Sequence, residues 1–132
     1  VSPDMPHHLW GKLMLNVGVN QAVAVFEGNY GTIQQPGRPR EIMIAAMREV
    51  MTLAPFEQVT LTEDDLTYWL SVLDTLGASG KPSLRQDLEA GRSTEVALFA
   101  GTLRQLGKKH GVPTPVNDWL YAEIKRLENA GH

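Results

Sequence analysis

The chain has 132 residues, 42% of them hydrophobic, with 15 acidic and 12 basic side chains, a formal net charge of −3 and no Cys. That length is enough for one domain with a real core. The slight acidity excludes an electrostatic pull towards nucleic acid or an anionic membrane, and the missing thiols exclude disulfides and thiolate chemistry.

Residues 1–10, VSPDMPHHLW, lack the basic-then-apolar pattern of a signal peptide. A cytoplasmic location fits this and the lack of Cys. A start at Val rather than Met reads as a fragment or a processed product. Pro3 and Pro6 mark the approach to a first helix, expected from about Pro6 to Phe26. Its stretch Leu9 to Phe26, LWGKLMLNVGVNQAVAVF, is apolar or Gly except for Lys12, Asn16, Asn20 and Gln21. A run with no polar face reads as a helix buried on all sides.

Lys12, Asn16 and Asn20 recur at i, i+4 and i+8, so they share one flank in a polar stripe about 12 Å long at about 1.5 Å rise per residue. Polar groups inside an apolar helix are costly unless something satisfies them. The stripe is then either structural, with a snorkelling Lys and Asn side chains that join helices, or a ligand site. A membrane span is a third reading at this length. Lys12, two Asn and two Gly argue against it.

Residues 27–31, EGNYG, stop that helix with turn residues. Residues 32–35 form a short helical turn ended by Pro36-Gly37. A second helix is expected from about Pro39 to Leu53, with Ile42, Ala45, Ala46, Glu49, Val50 and Leu53 on a helical period. Thr62 opens the third as its cap, with Asp65 three residues on and Glu63-Asp64 at the positive end of the dipole. Leu66, Trp69, Leu70, Leu73 and Leu76 form its apolar face. Residues 77–82, GASGKP, read as a flexible break.

The fourth helix should be the longest, from Ser83 or Leu84 to His110, with Gln86 in capping-box position after Ser83. Lys108, Lys109 and His110 fall in its last turn and Gly111 stops it. Leu84, Leu88, Gly91, Glu95, Leu98, Phe99, Thr102 and Leu106 share one face. Glu95 thus falls near the middle of an apolar stripe, where a carboxylate calls for a cation. Lys12 is the only Lys within another buried helix, so the two are expected to be neighbours. Gly91 on that face costs about 1 kcal/mol relative to Ala and signals the close approach of a backbone or a ligand.

A fifth helix opens at Thr114-Pro115, a cap followed by Pro at the first helical position. It carries Val116, Leu120, Ile124 and Leu127 and ends near Asn129. Val59-Thr60-Leu61 is too short for a strand. The expected fold is all-α, a single domain over residues 1–132 with about five helices and no significant sheet. No His pair stands at i, i+4, so zinc is unsupported and the histidines read as surface residues. No dinucleotide-binding loop, Walker loop or nucleophile elbow occurs.

Trp10-Gly11-Lys12-Leu13, followed by Asn16 and Asn20, resembles the motif opening the C-terminal domain of ketopantoate reductases (2-dehydropantoate 2-reductases). Residues 82–96, PSLRQDLEAGRSTEV, are similar to that family's Ser, Gln-Asp, Gly-Arg and Thr-Glu pattern, at Ser83, Gln86-Asp87, Gly91-Arg92 and Thr94-Glu95. The tail, HGVPTPVNDWLYAEIKRLE, is similar to the family's Gly-Val-Pro-Thr-Pro-Val-Asn segment and last helix. The likeness covers nearly the whole chain in order and spacing.

The resemblance implies a helical domain like the C-terminal domain of 6-phosphogluconate dehydrogenase. In the whole enzyme it follows a Rossmann domain in cis that binds NADPH and is absent here, so this fragment alone is expected to be inactive. It further implies hydride transfer to the 2-oxo carbon of ketopantoate, giving pantoate for pantothenate and coenzyme A synthesis. Lys12 would be the general acid, Asn16 and Asn20 would hold the small 2-oxo acid and orient Lys12, and Ser83 would contact the substrate carboxylate. Glu95 would be the second catalytic residue, binding a substrate hydroxyl or the nicotinamide end of the cofactor.

Burial would help a Lys donate a proton near neutrality, and a cation stabilises the forming oxyanion. A neighbouring Glu95 opposes the first effect. Ser83 lies about 120° around the helix from Glu95, so its place in the site comes from the resemblance alone. The surface left uncovered predicts either self-association, such as a homodimer, or a solvent-open cleft beside Lys12 and Glu95. The family commonly has Asn-Pro at Asn20-Gln21, Asp and Asn at Ala97 and Ala100, and Ser-Ser-Met at Pro82-Ser83-Leu84. These departures fit a paralogue acting on another branched 2-oxo acid equally well. A helical association domain without chemistry is the third reading.

Overall fold

Helix α1 (Met5–Val25) is the element on which all the others pack. The computed structural model describes residues 5–26, 28–80 and 96–130. Around α1 stand α2 (Tyr30–Gln34), α3 (Arg38–Leu53), a 3-10 turn (Ala54–Glu57), α4 (Glu63–Asp74), α5 (Val96–His110) and α6 (Pro115–Ala130). Six α-helices and no strand occur among the described residues, so the all-α expectation holds. No helix is long and apolar enough to cross a membrane.

The core gathers Met14, Val17 and Val23 of α1, Met43, Met47, Val50 and Leu53 of α3, Leu73 of α4 and Leu103 of α5, all nearly or fully buried. Gly18 lets α1 and α3 approach. A Cβ there would lie 2.7 Å from Met47 Cγ and 3.1 Å from the Met43 carbonyl. Gly18→Leu should therefore wedge the two helices apart and cost about 3 kcal/mol of stability. Chemical denaturation reads it, and an unchanged midpoint would mean that the two helices do not touch at this point.

The helix ends follow the local signals. Thr62 Oγ1 accepts the Asp65 N–H at 3.3 Å, and Asp65 Oδ2 accepts the Thr62 N–H at 2.8 Å, closing the predicted capping box of α4. Gly37, at a φ of 144°, supplies the turn before α3 that a side chain would resist. Residues 77–80, expected to be a flexible break, are instead fastened to α2. The Tyr30 and Gly31 N–H groups donate to the Gly80 and Ala78 carbonyls, each at 2.9 Å. Ser83, Gln86, Gly91 and Glu95, which the sequence places on the first part of the fourth helix, lie outside the described residues.

One expectation needs correcting. α1 is not buried on all sides: Lys12 and Asn16 are exposed and Asn20 is half-buried. Its neighbours α2 to α6 occupy the other flanks, and the polar side chains take the narrow flank that remains. Leu9 and Leu13 interleave with them there, which is why the helix shows no polar face in its sequence.

Candidate active site on the open flank of α1

The backbone of α1 near Lys12 is set by α4. A Cβ on Gly11 would overlap Trp69 Nε1 and lie 2.8 Å from Trp69 Cε2, so only glycine admits the indole there. His8 packs over the same indole, with ring centroids 5.5 Å apart. Tyr68 meets Trp69 edge-on at 5.1 Å. Five residues before Lys12, His7 Nε2 stands 2.8 Å from Asp65 Oδ1. Burial pushes the Asp65 carboxyl up, but the His7 hydrogen bond, those from the Thr62 N–H and hydroxyl, and the His7 charge outweigh it and hold the group below its ordinary value.

Lys12 and Asn16 project from the open flank, with Asn20 a further turn along. These three come together as the sequence placed them. The described residues do not supply the burial expected of Lys12, so whatever desolvates its ammonium would come from outside them. Glu95 and Ser83, the other two expected site residues, lie outside the described residues, as does any contact between Lys12 and Glu95.

A buried polar network behind the stripe went unread in the sequence. Gln21 is fully buried, and its Nε2 donates to the Val17 carbonyl at 3.0 Å and to Asn117 Oδ1 at 2.9 Å. Asn117 Nδ2 donates in turn to Glu49 Oε1 at 2.7 Å and to the Ala46 carbonyl at 3.3 Å. The Glu49 carboxylate also accepts the N–H groups of Val116, at 2.8 Å, and Asn117, at 2.9 Å. A side chain of α3 thus caps α6, and Gln21 ties α1 to both. The available signals were a Glu on the apolar period of α3 and a Gln in the apolar part of α1.

Chemically, the open flank offers one ammonium and two amides. An ammonium can donate a proton and stabilise an oxyanion, and amides can both donate to and accept from a small polar substrate. The described residues contain no group of three His, Asp or Glu able to hold a metal ion. They contain no strand to lead into a dinucleotide-binding loop.

Comparison with known proteins accords with this geometry. The family described as ketopantoate reductase PanE/ApbA C terminal matches residues 4–128. The chain is 29% identical over 129 residues to the 2-dehydropantoate 2-reductase of Vibrio cholerae, covering 98% of this chain and 43% of that protein. It spans less than half the length of that relative. Among solved structures, a PanE/ApbA family ketopantoate reductase from Ralstonia eutropha JMP134 superposes with a TM-score of 0.87 at 27% identity, over 98% of this chain and 43% of that one. A D-mandelate dehydrogenase solved with NADH and anilino(oxo)acetate shares the fold, with a TM-score of 0.89 at 22% identity, over 98% of this chain and 55% of that one. The match over residues 4–128 places the chain in the ketopantoate reductase family as its C-terminal domain.

Proposed function

We propose that the chain is the substrate-binding and catalytic C-terminal part of a cytoplasmic, NADPH-dependent 2-dehydropantoate 2-reductase. One observation carries the reading. On a helix packed by its neighbours elsewhere, the open flank bears Lys12 and Asn16, with Asn20 half-buried beside them. Those residues coincide with the family's opening motif, Trp10-Gly11-Lys12 followed by Asn16 and Asn20, within the matched residues 4–128.

The described residues offer no phosphate cradle, so the pyrophosphate of NADPH would be held by a preceding Rossmann domain in cis. The nicotinamide end of the cofactor would lie beside the exposed Lys12, next to a 2-oxo acid. NADPH, when bound, supplies the hydride for the 2-oxo carbon. Lys12 Nζ would hydrogen-bond the ketone oxygen and give it a proton as the alkoxide forms, its charge stabilising the oxyanion. Asn16 and Asn20 would hold the substrate and orient the ammonium. Ser83, on the substrate carboxylate, and Glu95, on a hydroxyl or the nicotinamide end, keep the roles that the family likeness gives them.

The test is turnover by the whole protein, with NADPH and a panel of 2-oxo acids. Ketopantoate is expected to have the highest kcat/KM. A higher value for another branched 2-oxo acid would assign the chain to a paralogue, the reading that the departures from the family pattern fit equally well. No NADPH oxidation with any substrate would leave a helical association domain.

A further inference from the structure

We infer that the His7–Asp65 pair is a positioning device for Lys12, an inference that rests on the catalytic reading of that lysine. Three contacts form one continuous seam between α1 and α4: His7 on Asp65, His8 over Trp69, and Trp69 against Gly11. The seam ends one residue before Lys12. A helix is stiff between fixed points, so what fixes the roll of its first two turns also fixes the direction in which Lys12 leaves it. Trp69 against glycine sets the distance between the helices, but a flat ring on a bare backbone allows sliding. The His7–Asp65 contact is directional and removes that freedom.

Asp65 is a rigid anchor. Its Oδ2 is committed to the Thr62 N–H of the capping box, which leaves Oδ1 for His7. The pair lines a cleft of about 340 Å³ with His8, Tyr68 and Trp69. Of the other acids in the first turn of α4, Glu63 is taken by Arg48 at 2.6 Å. Positioning of this kind matters because a proton donor displaced by a fraction of an ångström loses its alignment with the ketone oxygen.

The test compares His7→Ala with His7→Gln in the whole protein. Gln keeps an N–H donor for Asp65, and Ala does not. His7→Ala is expected to lower kcat about tenfold while KM for ketopantoate changes less than about twofold, and His7→Gln to recover most of the loss. A role confined to stability would lower the thermal midpoint while kcat per folded molecule stays at the wild-type value, and that result would overturn the inference. Wild-type kcat in His7→Ala, or equal losses in the two variants, would overturn the inference.

A wild-type protein that reduces no 2-oxo acid would sink the functional reading separately. The positioning would then be read from hydrogen exchange at the Lys12 amide. Faster exchange in His7→Ala than in His7→Gln supports it, and identical exchange overturns it.

Discussion

Lys12→Ala is expected to lower kcat of the whole protein about a thousandfold, about 4 kcal/mol of transition-state stabilisation, as the loss of a general acid that also carries the stabilising charge requires. NADPH affinity should stay within about twofold, because the dinucleotide is held elsewhere in the proposed enzyme. The fold should not notice the change. Lys12 is exposed, and surface substitutions of this kind usually move stability by less than about 0.5 kcal/mol.

Lys12→Arg separates the two contributions. A guanidinium keeps the positive charge but does not give up its proton in a protein. It should bind substrate nearly as well as the wild type and turn over more slowly than the wild type but faster than the Ala variant, by the share that the charge alone supplies. Steady-state kinetics with both variants reads the result, and turnover near the wild-type rate in Lys12→Ala would end the assignment.

Much of this arrangement is legible in the sequence, because the elements are set by local rules. The capping box of α4 needs only Thr62 and Asp65 at the right spacing, and both bonds form. The polar stripe needs only the helical period, and Lys12, Asn16 and Asn20 do share a flank. The environment of that flank depends instead on what stands beside the helix. Lys12 was expected to be buried because residues 9–26 lack a polar face, and hydropathy cannot register an open flank on which Leu9 and Leu13 alternate with polar residues.

His7 shows the same limit. It read as a surface histidine, and its pairing with Asp65 joins residues 58 positions apart that no spacing rule connects. Gly11 reads as part of the family's opening motif, and its physical reason, the Trp69 indole, exists only once α4 packs.

The Glu49 network predicts a stability effect as large as that of Gly18→Leu. Glu49→Leu should cost about 3 kcal/mol, because it strands the Val116 and Asn117 N–H groups and Asn117 Nδ2, three donors that now share one carboxylate. In a domain of this size that loss lowers the thermal midpoint by about 10 °C. Glu49→Gln keeps an acceptor oxygen but turns an NH₂ group towards one of the donors, so it should lose about half as much.

The donors also sit at the start of α6, where a negative charge is favoured by the helix dipole, and Gln loses that too. Pairing Glu49→Leu with Asn117→Ala should cost less than the sum of the two, since the second change removes one of the groups stranded by the first. Calorimetry on the four proteins closes the cycle. If Glu49→Leu costs less than about 1 kcal/mol, water replaces the carboxylate at the start of α6, and Gln21 with Asn117 would then join α1 to α3 and α6 without its help.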